Sequence, residues 1–199
     1  MFAALTGAGL SAAAGLNAYI PFLLVALLAR FTDVINLPPA YHWIESPWAI
    51  GIGVLLLVSE LVLDKIPAVD SVNDLVGTAI RPATGGLIGA ATQSAGTLDH
   101  SSFMQQHVWI GAVGGLVIAG LVHGAKSAAR PVANIASFGV AAPILSTVED
   151  TASMGLSLIA VFLPVLVILA LIALACASWT IIRRVRTYAR NQRYVENLP

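Results

Sequence analysis

The sequence predicts an all-α polytopic integral membrane protein, a helical bundle of six membrane segments. Three observations carry that prediction. Only 10% of the 199 residues are charged and 58% are hydrophobic, against roughly 25% and 45–50% in soluble domains. Mean hydropathy is +0.86. Uncharged apolar runs recur along the chain, long enough for the ~20 residues that one crossing needs. Ten acidic and ten basic residues cannot cover a soluble globule of this size without leaving large apolar patches. A soluble enzyme, a secreted disulfide scaffold, a nucleic-acid binder and a disordered chain are set aside on that ground. The single cysteine, Cys176, allows no disulfide framework, and in its apolar run it reads as a small buried hydrophobe.

Taken in order, residues 2–29 carry no charge. Ser11-Ala12-Ala13-Ala14 resembles a signal-peptide cleavage site, but no Lys or Arg precedes it and the run continues to Ala29, so a retained helix is expected. Residues 48–63 are apolar apart from Glu60 and make a second span. Residues 75–98 hold only Arg81 and are rich in Gly, Ala and Thr. Residues 108–122 form a strongly apolar span, and 151–182 hold no charge over 32 positions, more than a perpendicular helix uses. Between these two, residues 131–148 open at Pro131 and carry Asn134, Gly139 and Pro143. Four segments are thus strongly apolar. The third and fifth are broken or re-entrant, a pattern expected at membrane depth only where protein or a cavity surrounds the backbone.

Residues 1–182 read as one transmembrane domain and 183–199 as a basic tail. Arg183, Arg184, Arg186, Arg190 and Arg193 place that tail in the cytoplasm. Six spans then put both termini in the cytoplasm, with Lys65, Lys126 and Arg130 inside and Arg30 outside. If the two weak segments re-enter instead, Lys126 and Arg130 move outside. A shift of 61 residues superposes Trp48 on Trp109, Lys65 on Lys126, Asn73 on Asn134 and Pro82 on Pro143. This weak internal repeat pairs 48–93 with 109–150, and paired broken segments are a pointer to a transporter's binding site.

Ionisable groups at membrane depth are costly and mark function or bundle-locking pairs. Glu60 and Asp64 lie one helical turn apart on one face. Glu60 is the deeper of the two and the better group to bind a proton or cation. Arg81 needs an anionic partner, for which Glu60, Asp64 or a substrate anion is available. Ser71 and Asp74 fit a capping box opening the third segment. Asp70 and Asn73 offer oxygen ligands suited to Mg²⁺, Mn²⁺ or Ca²⁺, yet the spacing is no EF-hand loop, so no metal or other cofactor is expected. His123, Lys126 and Arg130 suit the C-terminus of the fourth helix, and Glu149 and Asp150 the N-terminus of the last. Asn17, with Pro21 freeing its carbonyl, makes a polar notch in the first helix. Gly7, Ser11 and Gly15 form a small-residue stripe for close helix approach, here expected to join a homodimer. Phosphate loops, nucleophile elbows and His-Glu-x-x-His are absent from the sequence.

The motifs Gly15-Leu16-Asn17-Ala18-Tyr19 with Pro21, Asp64-Lys65-Ile66-Pro67 and Asp70-Ser71 with Asn73-Asp74 resemble those of a family of bacterial membrane proteins known as domain of unknown function 4126. The resemblance continues through Arg81-Pro82, His123-Gly124, Lys126, Arg130-Pro131, Pro143, Ser146 and Glu149-Asp150, to about residue 176. It implies a bacterial inner-membrane protein and assigns no catalytic residue.

The function expected is a small transporter or channel-like protein, proton- or cation-coupled, with the bilayer and an unknown small solute or ion as partners and no nucleic acid. Its pathway would use Asn17, Glu60, Asp64, Asp70, Asn73, Asp74, Arg81, His123, Lys126, Arg130, Asn134, Glu149 and Asp150. The alternative is a non-transporting scaffold or assembly factor. An intramembrane enzyme acting on lipid headgroups ranks last, and the protein is not expected to be an enzyme. Outside the tail, five basic and nine acidic residues leave a formal charge of −4, which favours attracting a cation.

Overall fold

A computed structural model describes residues 2–95, 103, 106–136 and 141–196. Excepted are the side chains of 67–68, 70–71, 131–136, 141, 178, 181–182, 184–186 and 188–196. Among the described residues there is no strand. Seven helices lie among these residues, bounded as α1 Phe2–Leu16, α2 Tyr19–Phe31, α3 Pro47–Leu63, α4 Pro67–Gln93, α5 Val108–Ala136, α6 Ala141–Phe162 and α7 Leu166–Glu196, with a 3-10 helix at Pro39–Glu45.

The uncharged run 2–29 folds as two helices and not as one span. α1 ends at Leu16 beside Lys126, whose Nζ donates to the Leu16 carbonyl at 3.0 Å. α2 then leads away to Arg30, which donates to the Glu45 carbonyl at 3.0 Å. Glu45 lies two residues before α3, whose other end carries Glu60 and Asp64, about 22 Å away at 1.5 Å per residue. α1 and α2 are therefore a hairpin turning at Asn17-Ala18. Hydropathy does not register that turn, because both arms are apolar and Asn17 is the one strongly polar side chain at the bend.

α1 runs through the middle of the bundle. It is rich in Ala and Gly, and Leu10, Ala12, Ala13 and Ala14 are fully buried. Small side chains let its backbone approach its neighbours closely. A Cβ added at Gly7 would stand 2.9 Å from Thr92 Oγ1, and one at Gly15 would stand 2.6 Å from the Ala119 carbonyl. Ser11 Oγ donates to the Gly85 carbonyl at 2.8 Å. The stripe expected to join two copies is thus used inside one chain, against α4 and α5. These two helices meet through glycines of their own: a Cβ at Gly89 would crowd the Gly111 carbonyl, and one at Gly86 would stand 3.0 Å from that of Ala112.

Four further expectations change. α4 passes through Pro82 without a break, its ring packing toward Gly120, where an added Cβ would stand 3.7 Å from Pro82 Cγ. α5 continues from Val108 through Pro131 to Ala136, so Pro131 opens no helix. The long run 151–182 is divided at Leu163–Val165, between α6 and α7, where Pro164 has no N–H to continue the ladder. Cys176 on α7 is exposed on the isolated chain.

Among the described residues, two helices are long and apolar enough to cross a membrane, over Val108–Arg130 and Ala142–Phe162. A third candidate is the pair formed by the 3-10 helix and α3, bent by 53°. α1, α2 and Leu166–Ala177 are apolar but shorter. Outward faces are strongly apolar, as at Trp48, 83% exposed, and Leu121, 71% exposed. Such surfaces suit a hydrocarbon solvent. The hairpin adds one helix to the first segment expected from sequence. A core of Leu10, Val25, Ala26, Ile35, Ile44 and Val167 fills the end away from Lys126. The opposite end is held together by charge.

Candidate functional site

α3 is apolar on every side, and only Gly53 and Glu60 of it are buried. Seven residues apart, they lie on one face two turns from each other. Gly53 lets α3 close on Phe22 and Leu23, since an added Cβ would stand 2.9 Å from Leu23 Cδ2. That contact leaves Glu60 pointing inward. Asp64 caps the helix one turn later and is 2% exposed. α4 presents Asp74 and Arg81 on one face, also two turns apart. Gly77 lies between them, and an added Cβ there would stand 3.2 Å from Arg81 Nε. Long helical side chains lean toward the helix N-terminus, so the missing Cβ leaves room for the guanidinium to reach back.

Arg81 is 1% exposed and is the hub. Its Nη2 donates to Glu60 Oε1 at 2.7 Å, and its Nη1 donates to Asp74 Oδ1 at 3.1 Å. Asp64 Oδ2 lies 3.7 Å from Nη2. The same Nη1 faces His123 Nδ1 at 3.0 Å. A guanidinium only donates, so His123 Nδ1 accepts, and Nε2 carries the ring proton. Thr78 Oγ1 and Ser127 Oγ, each 3.1 Å from Nε2, are in place to receive it. His123 is neutral in this arrangement.

α5 supplies Lys126 and Arg130 from the same face as His123. The helix continues to Ala136, so these cations do not sit at its C-terminus but face carboxylates across the bundle. Lys126 Nζ lies 2.9 Å from Glu149 Oε2 and 3.6 Å from Asp64 Oδ2, and also donates to the Leu16 carbonyl. That carbonyl belongs to the last turn of α1, where intrahelical donors run out. Arg130 Nε donates to Glu149 Oε1 at 3.3 Å, and its Nη2 contacts Glu149 Oε2 and lies 3.2 Å from Asp64 Oδ2. Asn73 Nδ2 donates to Asp64 Oδ1 at 2.6 Å. Asp64 Oδ2 therefore lies within ion-pair distance of three cations at once. Burial alone would push the Asp64 carboxyl up; Lys126, then Arg130, the Asn73 amide and Arg81 outweigh it and hold its pKa below the ordinary 3.8.

Glu149 and Asp150 do not begin a helix; they lie two turns inside α6. Asp150 Oδ1 accepts from Asn17 Nδ2 at 2.9 Å. Asn17 Oδ1 in turn accepts from the amides of Tyr19 at 3.0 Å and Ile20 at 3.3 Å, meeting the unpaired N–H groups of the first turn of α2. Asn17 is thus both the pivot of the hairpin and its tie to α6. The capping box also reads differently. α4 already begins at Pro67, and Asp74 turns to the cations instead of the helix start.

Of the thirteen residues singled out from sequence, nine form this network: Glu60, Asp64, Asn73, Asp74, Arg81, His123, Lys126, Arg130 and Glu149. Asn17 and Asp150 form the adjoining pair. The Asp70 and Asn134 side chains lie outside the described residues. Sequence reasoning missed Thr78, Ser127 and Gly77. Thr78 and Gly77 lie on the Asp74–Arg81 face, and that helical spacing could have found them.

Among the described residues, three cations face four carboxylates in the network, and no three His, Cys, Asp or Glu side chains converge to hold a metal ion. Glu60 is 5% exposed, and among the described residues its Oε2 has no hydrogen-bond partner. It lines a small cavity of about 30 Å³ with Tyr19, Asn73, Gly77 and Arg81, room for a water. Toward the other end of α3 lies an open apolar cleft of about 410 Å³ between α2, α3 and α4. Such a site presents a carboxylate oxygen to a water-sized space.

A helical bundle with apolar outer faces and an interior multi-helix charge network is compatible with membrane insertion and specifies no reaction. The model of the family described as Domain of unknown function (DUF4126) matches residues 4–184. The chain belongs to that family. No curated protein and no solved structure matches it.

Proposed function

We propose that this protein is a small proton- or cation-coupled transporter of the bacterial inner membrane. The observation that carries the reading is Glu60, a buried carboxylate with one oxygen on Arg81 and the other, among the described residues, without a partner beside a water-sized cavity. A carboxylate left half-paired at membrane depth is a natural site for a proton or cation. α3, which bears it, has only two buried residues, so it can shift without disrupting the core. Asp64, shared by three cations, gives the remaining charges a way to re-pair when Glu60 is neutralised. The charged end of the bundle faces the cytoplasm in this proposal. Lys65, Lys126, Arg130 and the arginine-rich tail then lie on the positive side, and Arg30 lies opposite. Any homodimer would use a face other than the Gly7, Ser11 and Gly15 stripe.

The test is proton flux in proteoliposomes carrying a trapped pH-sensitive dye, after an imposed pH step. The wild-type protein should dissipate the gradient faster than empty vesicles, and Glu60→Gln should return the rate to background while eluting as a folded species. Equal rates for wild type, variant and empty vesicles would sink the transport reading. The second reading, a scaffold, is favoured by the ion pairs Arg81–Glu60 and Lys126–Glu149 at 2.7 and 2.9 Å. It requires stability loss in network variants with no flux in any of them.

A further inference from the structure

The apolar cleft and the Glu60 cavity adjoin. Tyr19 lines both. On α3, Leu56 faces the cleft and Glu60, one turn later, the cavity; on α4, Thr84 and Arg81 stand in the same relation. The cleft has an aromatic wall, with the Phe22 and Trp43 rings tilted at 37° and their centroids 6.4 Å apart. One end is therefore apolar and aromatic, a seat for an aromatic or aliphatic body. The other holds a buried carboxylate whose Oε2 lacks a partner, within a network carrying one more negative charge than positive among its described members.

We propose that this composite site binds an organic primary ammonium on an aromatic or short apolar body. The body lies against Phe22, Trp43 and Leu56, and the ammonium takes the water-sized cavity and donates to Glu60 Oε2. Size sets the headgroup. A cavity of about 30 Å³ admits a water-sized –NH₃⁺ and excludes a trimethylammonium. The apolar body explains why the cleft is too large and too dry for a simple inorganic cation. The proposal rests on Glu60 as the exchanging group and adds the class of solute that would compete with the proton there.

The experiment uses radiolabelled 2-phenylethylamine and the full-length protein in nanodiscs, with empty nanodiscs subtracted. Binding should be saturable. It should weaken at least tenfold in Glu60→Gln and equally in Ala49→Phe, which fills the cleft without touching the charge network. Thermal unfolding of Ala49→Phe should match wild type, separating loss of the site from loss of the fold. Neutral 2-phenylethanol and bulky phenyltrimethylammonium should compete at least tenfold more weakly than the amine. Absence of saturable binding overturns the proposal. So does equal competition by 2-phenylethanol, which would mark the cleft as a seat for neutral apolar chains such as lipid tails. Amine binding without Glu60-dependent proton flux would leave this site standing and remove the transport reading; flux without amine binding would do the reverse.

Discussion

Replacing Arg81 by Met removes the hub cation while keeping most of the side-chain volume. Among the described residues, Arg81 is the one cation within ion-pair distance of Glu60, at 2.7 Å. Asp74 keeps Arg130 at 3.8 Å and Lys126 at 3.9 Å, so the uncompensated charge falls on Glu60. Breaking a buried pair in this way costs about 3–5 kcal/mol. At about 2–4 °C per kcal/mol for a chain of this size, the unfolding temperature in detergent should fall by about 6–20 °C, read by tryptophan fluorescence. Adding Glu60→Gln removes the stranded carboxylate, and the double variant should regain about 1–3 kcal/mol over the sum of the singles. A loss below about 1 kcal/mol for Arg81→Met, or strict additivity in the double variant, would refute the assignment of Glu60 and Arg81 as one coupled pair.

Other substitutions test the packing and the remaining charges. Gly89→Ala should destabilise by more than about 2 kcal/mol, because the new Cβ meets the Gly111 carbonyl and stands 3.3 Å from Gly115 Cα, both backbone that cannot rotate away. Gly114→Ala meets nothing within 4 Å and should be neutral or gain up to about 1 kcal/mol from helix propensity; denaturant titration of the pair checks both. Asn17→Asp should cost more than Asn17→Ala, since it sets a carboxylate against Asp150 where an amide now donates at 2.9 Å. Asp64 has a lowered folded pKa, so its stabilisation is fully present above 3.8 and is lost as pH falls through the lower folded value. Acid unfolding of Asp64→Asn should accordingly lack that component below pH 3.8.

Much of this site was legible in the sequence, because so few charges lie in an apolar field that each must find a partner. Cost alone singled out Glu60, Arg81 and Asp64. Helical spacing put Glu60 with Asp64 on one face. Lys126 and Arg130 were harder. As the end of a short helix they already had an electrostatic explanation, and only the packing of the helices brings them to Glu149 and Asp64. The Gly7, Ser11 and Gly15 stripe announced close packing but not its partner, since a groove of small residues fits a second copy as well as α4 and α5.

The sequence by itself determined the apolar character of the chain, its all-helical architecture and which ionisable residues would have to find partners. Each follows from one-dimensional quantities, namely apolar fraction, uncharged run length and the expense of an unpaired ion. Only the tertiary structure decided the hairpin at Asn17, the break at Pro164, the unbroken course of α4 through Pro82 and the joining of a half-paired Glu60 to an aromatic cleft. An apolar run has the same hydropathy whether it is straight or folded back. Which of those it does depends on where Asn17 finds Asp150 and where Lys126 finds the end of α1.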